Sequence, residues 1–143
     1  MNTDLMFSSL SNEWETPPDL FKKLDDEFHF TLDPCCTHEN HLCPTYYTKE
    51  DDGLSKDWSG HIVYVNPPYG REIGKWVKKC HDEKGAVCVM CIPARTDTRW
   101  FHEYIYGKAE IRFLRGRIKF KNRAINKVNS APFPSMIVIY HRF

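Results

Sequence analysis

The chain has 143 residues, a formal net charge of +1, and is 41% hydrophobic and 14% aromatic. That length fits one domain with enough apolar side chains for a core. Charge so balanced neither demands nor excludes a nucleic-acid partner, because local patches matter more than the sum. No apolar run approaches the roughly 18–20 residues of a membrane helix. The opening MNTDLMFSSLSNEW lacks the basic and apolar regions of a signal peptide, so the expected setting is the cytoplasm, with no membrane partner.

Residues 1–13 are polar and read as a loose arm, ahead of a single domain over 14–143. In TPPDLFKKLDDEF, Thr16 suits an N-cap and Pro17 the first helical position. Leu20, Phe21, Leu24 and Phe28 fall on one face, predicting a helix over about 17–27. FTLD (30–33) predicts a short strand that stops at Pro34, and 35–57 reads as a long irregular loop. HIVYV (61–65) predicts a strand and REIGKWVKKCHDE (71–83) a helix that buries Ile73, Trp76, Val77 and Cys80. AVCVMCI (86–92) is wholly apolar, as in a strand covered on both faces, and Pro93 ends it. WFHEYIY reads as helical up to Gly107. AEIRFLRGRIKF (109–120) predicts two strands broken at Gly116, with Phe113 and Phe120 in the core. A polar loop over 121–131 and a last strand, SMIVIYHRF, complete the chain. This alternation implies an α/β sheet with parallel central strands.

Six cysteines with no secretion signal imply reduced thiols. Cys88 and Cys91 have CxxC spacing, but three residues apart on a strand point to opposite faces, so both read as core. Cys35, Cys36, His38, His41 and Cys43 cluster without a clean tetrahedral set, and no metal is expected.

In parallel sheets, ligands bind beyond the carboxyl ends of the strands. Asp33-Pro34, Asn66-Pro67-Pro68-Tyr69 and Pro93-Ala94-Arg95 all fall there. Proline has no N–H and a fixed φ, so Pro67 and Pro68 make a stiff turn. The Asn66 side-chain oxygen and the Pro67 main-chain oxygen then form a rigid pair of acceptors for an NH₂ group. Tyr69 offers a flat face for a planar base. Two acceptors on an aromatic amine localise its lone pair on nitrogen, which prepares it to attack an electrophilic methyl group.

These blocks resemble a known family. NPPY after a strand, together with WETPPDLFKKLDDEFHFTLDPCC, EDDGLSKDWSGHIVYVNPPYG, PARTDTRWFH, IRFLRGRIKF and APFPSMIVIY, is similar to the phage-type DNA N6-adenine methyltransferases over about residues 14–140. The resemblance implies a compact Rossmann-like sheet with helices on both faces and an antiparallel C-terminal hairpin. It implies S-adenosylmethionine as cofactor and DNA as substrate. Trp14, Thr16 and Pro17 would close over the cofactor, Asp33 and Pro34 would approach its methionine part, and Asp52 and Gly53 would meet its adenine. Asn66, Pro67, Pro68 and Tyr69 would hold a flipped adenine. The turn after Asp33-Pro34 departs from the family pattern in having no glycine.

Basic residues gather late. Arg115, Arg117 and Lys119 would share one strand face, and with Arg95, Arg99 and Arg123 they are the candidate DNA contacts. With no separate target-recognition domain expected, sequence readout falls to loops or to a second subunit in a homodimer. RNA adenine or a glutamine side chain is the alternative substrate, and a non-catalytic binder the alternative class.

Overall fold

The computed structural model describes residues 14–122 and 127–141. The expected arm at 1–13 and Arg123 lie outside the described residues, as do the side chains of Trp14, 121–122 and 127–129. Strands β1 (Trp14–Glu15), β7 (Lys119–Asn122) and β8 (Lys127–Ser130) form a small antiparallel sheet in the order β1-β7-β8. The main sheet holds β2 (Leu32–Cys36), β3 (Thr45–Thr48), β4 (Ile62–Val65), β5 (Val87–Pro93), β6 (Glu110–Phe113) and β9 (Ser135–Tyr140), side by side as β3-β2-β4-β5-β9-β6. The first four of that order run parallel, and β9 runs antiparallel between β5 and β6.

Apolar sequence explains the centre. Every residue of β5 is buried, as the run VCVMCIP requires of a strand covered on both faces. Tyr64 pairs with Val89, and Val89 with Ile139, so these three share one face. Helix α1 (Pro18–Phe28) covers that face, with Phe21 edge-on to Tyr64 at 5.2 Å. Arg112 of β6 holds Glu27 of α1 through two bonds of 2.7 Å. Tyr140 points to the opposite face, where it meets His81 of helix α2 (Ile73–Asp82) at 6.2 Å. Helices therefore cover both faces. Ile73, Trp76, Val77 and Cys80 of α2 are buried as the spacing predicts. Cys88 and Cys91 are fully buried on opposite faces, one paired with Tyr140 and the other with Ile137.

Several local expectations are corrected. Pro34 does not end β2, because the register shift between Asp33 and Cys36 absorbs its missing N–H. Residues 35–57 are not one loop: Thr45–Thr48 adds a parallel edge strand and Gly53–Ser55 forms a 3₁₀ turn. Pro93 is still paired, with Ser135. WFHEYIY is helical as read, with Phe101–Ile105 forming a π-helical turn. The expected polar loop at 121–131 contributes to a hairpin, since Lys119–Asn122 pairs with Lys127–Ser130. Phe113 is 63% exposed and not core, because it ends an edge strand, whereas Phe120 is fully buried.

The chain passes from β2 outward to β3, then returns to β4 on the other side of β2. This reversal opens a crevice at the carboxyl ends of β2 and β4. The segment after β3 folds back to it. Asp52 takes a left-handed φ of 56°, Gly53 is buried, and the Trp58 indole donates to the Gly53 carbonyl at 3.0 Å. A Cβ on Gly53 would lie 2.1 Å from the Pro34 carbonyl oxygen. We expect Gly53→Ala to cost about 1–3 kcal/mol of stability by forcing this backbone contact apart. Urea denaturation checks it; an unchanged midpoint would mean that the turn does not depend on seating against Pro34.

Candidate active site

Three neighbouring strands bring the candidate residues to one edge. Leu32 pairs with Val63 and Tyr64 with Val89, so alternation puts Asp33, Tyr64 and Cys91 on the face under α1. Asn66 follows β4 directly, and Ala94 and Arg95 follow β5.

Asp33 is 3% exposed. Its carboxylate accepts the Leu42 N–H at 3.0 Å and the Cys35 N–H at 3.4 Å. Burial raises its pKa to about 6, against the lowering effect of those bonds and of His41. The nearby Cys35 and Cys36 thiols are also pushed up, chiefly by burial, and Cys43 rises to about 12 for the same reason. Among the described residues no three His, Cys, Asp or Glu side chains converge as a metal site.

The NPPY turn is packed rather than open. Asn66 and Pro68 are half-buried, while Pro67 and Tyr69 are buried. The Tyr69 hydroxyl lies 2.9 Å from Asn66 Oδ1 and 3.0 Å from the Cys91 carbonyl, both as acceptors. Its ring meets Phe133 and Phe120 edge-on at 5.5 and 6.0 Å. Tyr69 thus differs from the flat, open platform expected of it. A desolvated phenol needs hydrogen-bond partners, and the two acceptors at the strand ends supply them.

The remaining candidates divide. The Thr16 hydroxyl is not a helix cap: Pro17 occupies the N-cap position and Pro18 begins α1. Thr16 instead bonds the Tyr64 hydroxyl at 2.7 Å, in the core. The Trp14 backbone pairs with Asn122, strapping this segment to β7. Pro34 and Gly53 meet at the crevice, and Asp52 stands exposed at its rim.

Of the basic residues, Arg95 is exposed beside the crevice, and the Ala94 N–H donates to the Pro134 carbonyl at 2.9 Å. The Leu114 N–H donates to the Ser135 carbonyl at 3.1 Å, which brings the turn after β6 to the same edge. Arg115 and Arg117 do not share a strand face, because they flank Gly116, whose φ of +75° bends the chain. They and Lys119 are exposed. Arg99 is exposed but paired with Glu103 at 2.7 Å.

Residues 5–143 match the sequence profile described as DNA N-6-adenine-methyltransferase (Dam). The chain belongs to this family. It is 32% identical over 102 residues to the DNA N-6-adenine-methyltransferase of Escherichia phage T1, a match that covers 68% of this chain and 42% of that protein. It is 26% identical over 133 residues to the DNA N-6-adenine-methyltransferase of Haemophilus phage HP1, covering 89% of this chain and 77% of that one. A putative methyltransferase, YfdM, of Escherichia coli K12 is 34% identical over 67 residues, covering 42% of this chain and 74% of its own length. The chain thus spans less than half of the phage T1 relative.

For this Dam-family chain, sequence reasoning passed over one polar side chain in an apolar strand, Tyr64. The signal was the hydroxyl in IVYV, in a strand that buries its polar atom. It also missed that Arg112 is engaged by Glu27 and Glu110.

Asp33 generates a pH prediction. A carboxyl raised from 3.8 to about 6 in the folded state favours folding below the unfolded value, and that contribution is lost as pH rises through about 6. Asp33→Asn has no such titration. The difference in unfolding free energy should shift in the variant's favour between about pH 4 and pH 7, then level off. Paired urea titrations across that range check it, and a flat difference would contradict the buried-carboxyl account.

Proposed function

We propose that this Dam-family protein transfers a methyl group from S-adenosylmethionine to the exocyclic N6 of adenine in DNA. The observation that carries the reading is Asn66, bonded by Tyr69 at the carboxyl end of β4, with buried Asp33 on the neighbouring strand β2. The names of the phage relatives support the same chemistry.

An amide oxygen has two lone pairs, so Asn66 Oδ1 accepts a proton of the base's amine while it keeps the Tyr69 hydroxyl. The Pro67 carbonyl is the second acceptor, fixed by the rigid Pro67-Pro68 turn. Together they draw the amine nitrogen towards tetrahedral geometry and concentrate its lone pair. Both acceptors are set before the base arrives, so little reorganisation remains at the moment of reaction. An adenine amine is paired inside a duplex, so the base must leave the stack to reach them.

The residues around the crevice fit the cofactor. When bound, S-adenosylmethionine supplies an electrophilic methyl group on a sulfonium. Asp33, a buried acid whose charge is disfavoured by burial, is suited to a cationic ligand group, which would favour its ionised form. Pro34, Asp52 and Gly53 would line the cofactor's place, and the segment Trp14–Pro17 would close over it, as the family resemblance implies. Exposed Arg95, Arg115, Arg117 and Lys119 would offer a basic rim for phosphate.

The test is incubation of the purified chain with unmethylated duplex DNA and methyl-labelled S-adenosylmethionine. Label should appear in N6-methyladenine, and Asn66→Ala should lower kcat about 10²–10³-fold, as removal of a preorganised polar group does. DNA binding without label would point to a binder, and label in RNA or protein alone would move the substrate. The rim makes a separate prediction. Arg95→Ala or Arg117→Ala should each reduce the slope of log affinity against log salt by about 1, without changing which DNA sequences are preferred. Fluorescence anisotropy over a salt series measures it, and unchanged slopes would remove these residues from the interface.

A further inference from the structure

Strand β6 closes one side of the main sheet, and among the described residues no strand lies beyond it. The Leu114 N–H donates to the Ser135 carbonyl of β9 at 3.1 Å, so Leu114 turns its main chain towards β9. Main-chain groups alternate sides along an antiparallel strand. Arg112 and Glu110 therefore face β9 as well, in their pairs with Ile137 and Ile139, while Ile111 and Phe113 turn their N–H and C=O groups outward. The Ala109 N–H is taken by the Ile105 carbonyl at 3.0 Å, and its own carbonyl points outward by the same alternation. The strand has no proline, and its register with β9 is unbroken, so its outer side keeps the form of a ladder.

Its side chains sort by face. Arg112 reaches Glu27 of α1, which puts Glu110 and Arg112 on the α1 side and Ile111 and Phe113 on the other. Phe113 is 63% exposed, and Tyr106, in the turn that leads into β6, is 65% exposed. They are the exposed large hydrophobic side chains among the described residues, and both flank this strand.

An identical strand can add to this edge about a two-fold axis, and the side chains choose where the axis falls. An axis at Glu110 sets Glu110 against Glu110, and one at Arg112 sets Arg112 against Arg112. An axis at Phe113 leaves Arg112 opposite Leu114. An axis at Ile111 alone sets Glu110 opposite Arg112 on both sides, with Ile111 against itself and Phe113 against Ala109. The Arg112 guanidinium keeps N–H donors beyond those taken by Glu27 and Glu110 of its own chain. The same axis satisfies the main chain. Ile111 exchanges both of its bonds with its copy, and the Phe113 N–H meets the outward Ala109 carbonyl.

We propose that β6 is a homodimer edge, where two copies of this chain join antiparallel about a two-fold axis at Ile111. β5 and β6 both run antiparallel to β9, so the axis turns the two crevices to opposite ends of the joined sheet. The pairing therefore does not depend on the methyl-transfer reading. A contact built on one strand lies at the low end of specific interfaces, so Kd should be on the order of 10 µM.

Sedimentation velocity of the full chain, over about tenfold either side of that concentration, should show monomer passing to dimer. Ile111→Lys sets two ammonium groups together on the axis. It should stay monomeric throughout while keeping the wild-type circular dichroism. Ile111→Cys reads the register directly. Cα atoms in a hydrogen-bonded antiparallel pair lie about 5.5 Å apart, within the span of a disulfide. Mild oxidation should link Ile111→Cys into a covalent dimer. Phe113→Cys, whose two copies stand apart in this register, should link no more than wild type. A wild type that is monomeric at the highest concentration overturns the proposal, and means that something other than a second copy covers the edge. A dimer that survives Ile111→Lys also overturns it, by placing the contact elsewhere, as does equal linking of Phe113→Cys, by denying the register.

Discussion

A slip of one residue between β4 and β5 would dismantle the crevice. Ile62 to Val65 pair with Val87 to Met90 in unbroken parallel register. Moving that register by one would turn Tyr64 and Cys91 to opposite faces and carry Asn66 away from the Cys91 carbonyl. The register is fixed by what lies on either face. Phe21 and Phe30 pack on Tyr64 beneath α1, while α2 sets Trp76 and Val77 into the core. Apolar packing thus fixes the height of the strand end, and the strand end fixes the amide.

The polar groups follow from that frame. Placing a carboxyl, two phenols and a thiol under α1 would be unfavourable if each stood alone. Asp33 is met by the main-chain N–H groups of Leu42 and Cys35, Tyr64 by Thr16, and Tyr69 by a carbonyl and an amide. The second sheet adds a mechanical link: β1 pairs with β7, and Phe120 of β7 packs edge-on against Tyr69. The segment bearing Thr16 and the cover over the NPPY turn therefore belong to one small sheet.

Much of this was legible in the sequence because period and punctuation agreed. The wholly apolar VCVMCIP, the Ile73-Trp76-Val77-Cys80 stripe and the proline-rich strand ends each had one sensible reading. The failures were equally physical. TYYT looked like loop because its alternation is short and its neighbours are polar, yet an edge strand needs only one partner. Thr16 before two prolines looked like a cap, and only its distant contact with Tyr64 shows otherwise. Phe113 was read as core from its alternation with arginines, whereas its place at the end of an edge strand decides its exposure. Tyr69 was read from its ring, but burial made its hydroxyl the more constrained atom.

The sheet order also governs how the molecule can be assembled. β9, formed by residues 135–140, inserts between β5 and β6, and β6 has its ladder with β9. The parallel strands β2 to β5 can come together from nearby sequence, but β6 must wait, half-made, until a partner more than twenty residues downstream arrives. Contacts of this separation close slowly. The turn bearing Arg95 waits as well, since the Ala94 N–H is satisfied by Pro134. On a ribosome, the parallel centre of the sheet would precede the turns that carry Arg95 and Arg115, so an unfinished chain would hold its packed core before that edge is closed.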